Sequence, residues 1–193
     1  SQANNHALNF GWAGLDESKQ WISEAGIDSF GDPDNANPGP LYIDVRGTKV
    51  AFVGYDQFSA TGGDASSTLA AISAAHVAGA FVVVYPHWGV EYNLGTTSLQ
   101  ESLAHEFVDA GADAVLGGHP HVVEPVEVYK NKPIFYSMGN FVFDQAESGP
   151  TSQGIGVEIS IAPSQVTYIV VPILIVHAQP ALNGTSTSFT LPR

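Results

Sequence analysis

Cysteine is absent from the 193 residues, which excludes a disulfide frame and a thiolate-held metal. Basic residues are scarce as well. Six Lys and Arg stand against 19 Asp and Glu, a net charge of −13. Such a surface repels nucleic acid and anionic lipid, so a role in binding either is not expected. No apolar run approaches the roughly 20 residues of a spanning helix. The longest candidate, Tyr168 to Val176, is strand-length and carries Pro172. No leader peptide is visible, and the abrupt start is compatible with one having been removed. G-x-S-x-G, P-loop and G-x-G-x-x-G motifs are also missing, which removes the usual serine-hydrolase and nucleotide-binding readings.

What is present reads as one globular domain over residues 1–193, with 44% hydrophobic residues and length enough for a proper core. Few lysines combined with many Gly, Ser, Thr and Asn lean toward an extracytoplasmic protein. Leu15, Trp21, Ile22 and Ala25 recur at helical spacing before Gly26, and Gly31 to Pro40 is a loop. Leu41 to Val45 and Val50 to Tyr55 form a hairpin across Arg46-Gly47-Thr48-Lys49. Two units of helix, glycine and strand follow: Ser66–Ala78 with Phe81–Tyr85, then Ser98–Ala110 with Ala114–Leu116. Asp64 or a serine caps the first helix, and Leu99, Leu103, Phe107 and Val108 face inward from the second. That rhythm predicts αβ units and a parallel sheet. Beyond His121 the chain turns to β structure: Val122–Tyr129, Pro133–Ser137, Gly154–Ile161, Val166–Val176 and an edge strand at Ser186–Leu191. The expected fold is α/β, with a mixed sheet or sandwich and helices outside.

Chemistry concentrates where the short apolar strands end. Phe81–Tyr85 runs into Pro86-His87-Trp88-Gly89-Val90-Glu91, and Ala114–Leu116 into Gly117-Gly118-His119-Pro120-His121. Strand ends of an open α/β sheet are where sites form. Three imidazoles delivered there suit zinc, iron, manganese or nickel. In H-x-H, alternate side chains of extended backbone share a side, so both rings face one cation. Read singly, each histidine is equally a turn or strand-capping residue. Asn5 offers a carbonyl oxygen and His6 a proton for a leaving oxygen, while an Asx-type turn before a helix, a common use of Asn, is the alternative. Glu91, Asn140 and Asp144 are candidates for lining the site, with solvated or turn roles as the alternative. His76, His105 and His177 read as structural or surface residues.

Taken in order, five motifs resemble the bacterial capsule-synthesis proteins of the CapA/PgsA type, which are related to calcineurin-like metallophosphoesterases. They are Asn4-Asn5-His6-Ala7 with Gly11, His87-Trp88-Gly89-Val90-Glu91-Tyr92, Gly111-Ala112-Asp113, Gly118-His119-Pro120-His121 and Tyr136-Ser137-Met138-Gly139-Asn140-Phe141. The resemblance implies a calcineurin-like sandwich with flanking helices. It implies a divalent metal (Zn, Mn or Fe) held by Asn5, His87, His119 and His121, with His6 acting on the leaving group. Glu91 and Asn140 belong to the same signature. The implied role is synthesis or export of an anionic polymer such as poly-γ-glutamate at the cell surface. A phosphoester hydrolase and a non-enzymatic surface or filament subunit are the alternatives. The family begins with a Gly-Asp strand and further carboxylates ahead of Asn-Asn-His, which this sequence does not contain. The expectation is an N-terminally incomplete domain, either a fragment or one whose missing strands a second chain supplies, with an unpaired sheet edge beside the site and weak metal binding in the isolated chain.

Overall fold

The computed structural model describes residues 1–37, 39–145 and 149–193. After the helix α1 (Gly11–Glu24) come β1 (Leu41–Val45) and β2 (Thr48–Asp56), paired antiparallel across Arg46-Gly47. Both turn residues have positive φ, 53° and 83°, the geometry of a tight hairpin whose twist matches that of its strands. Asp44 Oδ1 accepts the Gly47 N–H at 2.8 Å and fixes the turn.

The next two units are α2 (Ser66–Val77) with β3 (Phe81–His87) and α3 (Ser98–Asp109) with β4 (Ala114–Leu116). β5 (Val126–Tyr129) and β6 (Lys132–Phe135) complete a six-stranded sheet in the order β1-β2-β3-β4-β6-β5. Strands β2, β3, β4 and β6 are mutually parallel, and β1 and β5 run antiparallel at the rims. A second, antiparallel sheet contains β7 (Gln153–Ile161), β8 (Gln165–Val176), β9 (Gln179–Leu182) and β10 (Thr187–Pro192).

β3 explains the layering. Its alternate residues feed two cores, as a strand covered on both faces must. Val82 and Val84 pack with Ile72 and Ala75 of α2 and Leu103 and Phe107 of α3, while Phe81 and Val83 pack with Val166 and Tyr168 of β8. The expected α/β architecture of two sheets with outer helices is what forms. Trp88, fully buried, ties the helix-side core to the site. Its indole N–H donates to the Tyr136 carbonyl at 2.8 Å, satisfying the polar edge of the largest core side chain.

Several boundaries differ from expectation for identifiable reasons. The predicted Val122–Tyr129 strand begins at Val126, because Pro125 has no N–H to give a ladder. Before it Val123 makes only an isolated bridge to Met138. β9 was not foreseen. In α1 Leu15 is buried but Trp21 is 62% exposed, so the helical spacing there does not mark a buried stripe. In α3 Leu99 is exposed and Gln100 takes the buried place. Gln100 closes a capping box with Thr97 and donates to Glu124 at 2.7 Å. The residue ahead of α2 is Ala65, whose side chain makes no cap; Asp64 instead accepts from the Ser66 N–H and hydroxyl at 3.0 and 2.7 Å. The unpaired edge expected near the histidines is not in the six-stranded sheet, where β3 and β4 are interior strands and the free edges belong to β1 and β5. In the second sheet β7 is an edge strand, and its start makes an isolated bridge to Gly139, next to Asn140.

Candidate functional site

The C-terminal ends of β2, β3 and β4 lie side by side, with Asp56 in register with His87 and His87 bridged to Gly118. The close approach depends on Gly117, where a β-carbon would overlap the Tyr136 carbonyl and meet the Trp88 indole. His119 therefore arrives against His87, with the two rings 4.7 Å apart.

His87 Nε2 faces two partners at once, Asn5 Oδ1 at 2.8 Å and His119 Nδ1 at 3.1 Å. One ring nitrogen carries either a proton or a lone pair, so it cannot satisfy both contacts fully. His87 is pushed down to about 3, first by burial and then by the neighbouring imidazoles of His119, His121 and His6. His119 is lowered too, chiefly by burial. Both rings are neutral lone-pair donors at neutral pH.

His121 is set apart from this pair. Its ring centroid is 6.2 Å from that of His119, its Nδ1 pairs with Asn140 Oδ1 at 2.9 Å, and its Nε2 lies 4.0 Å from Glu91. The extended-backbone rationale for H-x-H is not how these rings are aimed. His119 and His121 have φ of 100° and 62°, a left-handed conformation that costs roughly 1–3 kcal/mol for such residues. A closed circuit then holds His121: Asn140 Nδ2 donates to Gln145 Oε1 at 3.4 Å, and Gln145 Nε2 donates to the Tyr92 hydroxyl at 3.0 Å. The Tyr92 ring stacks on His121 at 5.8 Å.

The structure thus joins Asn5, His87 and His119, and places His121, Asn140 and Glu91 beside them. His6 is exposed and meets Asn9 at 3.1 Å. The turn that presents these residues is closed by Asn4, whose Oδ1 accepts the His6 N–H at 3.0 Å. Asp144 is exposed, and nothing among the described residues ties it to the imidazoles. Sequence reading missed Phe58, whose ring lies 4.3 Å from that of His119. It also missed Phe143, 5.2 Å from His121, and Gln145. Their only advance signal was position: Phe58 follows a strand end, and Phe143 and Gln145 flank Asp144.

The donor types at the Asn5–His87–His119 junction suit a borderline divalent cation. Their arrangement does not close a site: among the described residues no three His, Cys, Asp or Glu side chains are grouped to hold a metal ion. No Lys or Arg side chain contacts the imidazoles among the described residues. Arg46, Lys49, Lys130 and Lys132 sit at the opposite, N-terminal ends of the parallel strands.

Residues 1–145 match the family model described as bacterial capsule synthesis protein PGA_cap. The PGA biosynthesis protein CapA of Bacillus subtilis is 36% identical over 160 residues, covering 75% of this chain and 42% of that protein. The capsule biosynthesis protein CapA of Bacillus anthracis is 37% identical over 161 residues, covering 74% and 39%. A probable polyglutamine synthesis accessory protein of Mycobacterium tuberculosis is 27% identical over 173 residues, covering 74% and 44%. The chain spans about two fifths of the length of these relatives. Among solved structures, Chaetomium thermophilum Vps29 overlaps 94% of this chain and 74% of its own with a TM-score of 0.38 and 10% identity, too loose a likeness to argue from.

Proposed function

Because this chain belongs to the bacterial capsule synthesis protein family, we propose that it acts at the cell surface in the synthesis or export of an anionic polymer such as poly-γ-glutamate, through a hydrolytic centre of phosphoesterase type. The observation that carries this reading is the meeting of Asn5, His87 and His119 at one ring nitrogen. It is an arrangement without evident value to folding, since it leaves one nitrogen serving two partners.

In this reading Asn5, His87, His119 and His121 would hold a zinc, manganese or iron ion, with a further subunit closing the site. Such an ion supplies Lewis acidity toward a phosphoryl oxygen. The chain's own residues do the rest. Burial keeps His87 and His119 neutral and ready to donate lone pairs. Asn140 accepts from or fixes Nδ1 of His121 and so turns Nε2 toward Glu91, which suits a second-sphere orienting role. His6, exposed on the loop that carries Asn5 and paired with Asn9, would protonate a leaving oxygen. A further subunit completing the centre is part of this proposal, because among the described residues no three His, Cys, Asp or Glu side chains are grouped to hold a metal ion.

The test is genetic and chemical together. Replacing His87 and His119 by alanine in the cell that carries this gene is expected to abolish surface polymer while the protein still accumulates. Normal polymer in the double variant would refute the reading.

A further inference from the structure

Around the imidazoles stand three aromatic rings from three different segments. Phe58 comes from the loop after β2 and packs 4.3 Å from His119 and 6.1 Å from His87. Tyr92 comes from the loop after β3, 5.8 Å from His121. Phe143 follows β6, 5.2 Å from His121. None is a core residue: they are 41%, 54% and 39% exposed. A single exposed aromatic needs no explanation, but three converging on one polar cluster do. Each turns part of its surface to an imidazole and leaves part to solvent, so all three border the imidazole cluster.

The frame is built rather than loose. The Tyr92 hydroxyl accepts from Gln145, its backbone N–H donates to the Pro120 carbonyl at 2.8 Å, and its φ is 64°. It is therefore anchored on the same turn that aims His119 and His121. The Phe58 N–H donates to Asp56 Oδ1 at 3.0 Å, fixing the loop at the end of β2. Charge narrows the occupant. Glu91 stands 4.0 Å from His121, and the nearby chain adds Asp144. Arg46, Lys49, Lys130 and Lys132 occupy the other end of the sheet. Among the described residues no Lys or Arg side chain contacts the imidazoles, so what the chain's own side chains offer an occupant at this mouth is apolar and stacking contact.

We propose that Phe58, Tyr92 and Phe143 form a binding site for a flat apolar group, and that the ester handled at the imidazoles carries such a substituent instead of being the polyanion itself. The assignment of an ester rests on the hydrolytic reading above; the assignment of a flat group rests on the three rings.

The two are tested separately by binding phenylphosphonate, methylphosphonate and hexylphosphonate to the purified chain, followed by NMR of the aromatic side chains, with and without zinc. Phenylphosphonate is expected to bind at least about tenfold more tightly than methylphosphonate and to shift the Phe58, Tyr92 and Phe143 resonances. Phe58→Leu and Phe143→Leu, which keep apolar bulk but remove the ring face, are expected to reduce that preference to twofold or less. Equal affinity for phenyl and methyl probes, or no binding of either, would overturn the proposal. So would hexylphosphonate matching phenylphosphonate, which would assign the mouth to an alkyl tail. A phenyl preference that persists in the chain while cells carrying the His87 and His119 double variant still make normal surface polymer supports the flat-group site and refutes the hydrolytic reading alone.

Discussion

Glu124 offers a quantitative check on the packing that backs the site. It lies three residues beyond His121 and is 3% exposed. Its Oε2 accepts from Gln100 Nε2 at 2.7 Å, and its Oε1 has no partner among the described residues. Burial pushes its carboxyl up to about 7 from the ordinary 4.5, against the Gln100 hydrogen bond, which pulls it down. The folded state therefore holds this proton more tightly than the unfolded chain. Its contribution is fully present below pH 4.5 and is lost as pH rises through about 7. A rise of that size corresponds to about 3 kcal/mol. Glu124→Gln removes the charge but strands an amide N–H₂ where Oε1 now sits, at a cost of about 1 kcal/mol. The variant should thus be about 2 kcal/mol more stable than the parent at pH 8 and slightly less stable at pH 4.5. Urea denaturation at the two pH values measures the difference directly. Parallel stability–pH curves for parent and variant would refute the reasoning.

Other consequences follow from the same geometry. His87 is depressed to about 3, so its contribution is present above pH 6.5 and lost as pH falls toward 3. In EDTA, His87→Gln should flatten the acid limb of the stability curve by on the order of 2 kcal/mol, allowing for partial exposure. Thr97→Ala breaks the capping box at the start of α3 and should cost about 1 kcal/mol in chemical denaturation. Gly117→Ala drives a methyl into the Tyr136 carbonyl and should cost about 2–3 kcal/mol, seen as a lowered melting temperature.

Much of the fold was legible because burial on both faces leaves a continuous apolar run. Phe81–Tyr85 and Ala114–Leu116 were readable as strands for that reason, and their histidine-bearing ends marked the site. What was not legible depended on contacts between distant segments. The strand into Pro133 stops at Phe135 because the Tyr136 N–H turns to the Pro125 carbonyl and its carbonyl is taken by Trp88. Leu99 looked like a core residue by spacing, but Gln100 is drawn inward by two hydrogen-bond partners, Thr97 and Glu124. The H-x-H spacing drew attention to His119 and His121 through an argument the backbone does not follow, since both adopt positive φ. Phe58 could not be found at all without the parallel alignment of β2 with β3, which sets the loop after Asp56 beside His87.

The central claim is that Asn5, His87, His119 and His121 are cation donors. The direct measurement is the histidine ring-nitrogen NMR spectrum of the purified chain during zinc titration. Weak, reversible binding is predicted, with His87 and His119 shifting first, His121 following, and His105 and His177 unmoved. His119→Ala should abolish the shift at His87. Unperturbed His87 and His119 resonances at millimolar zinc would contradict the claim, as would binding that survives His119→Ala.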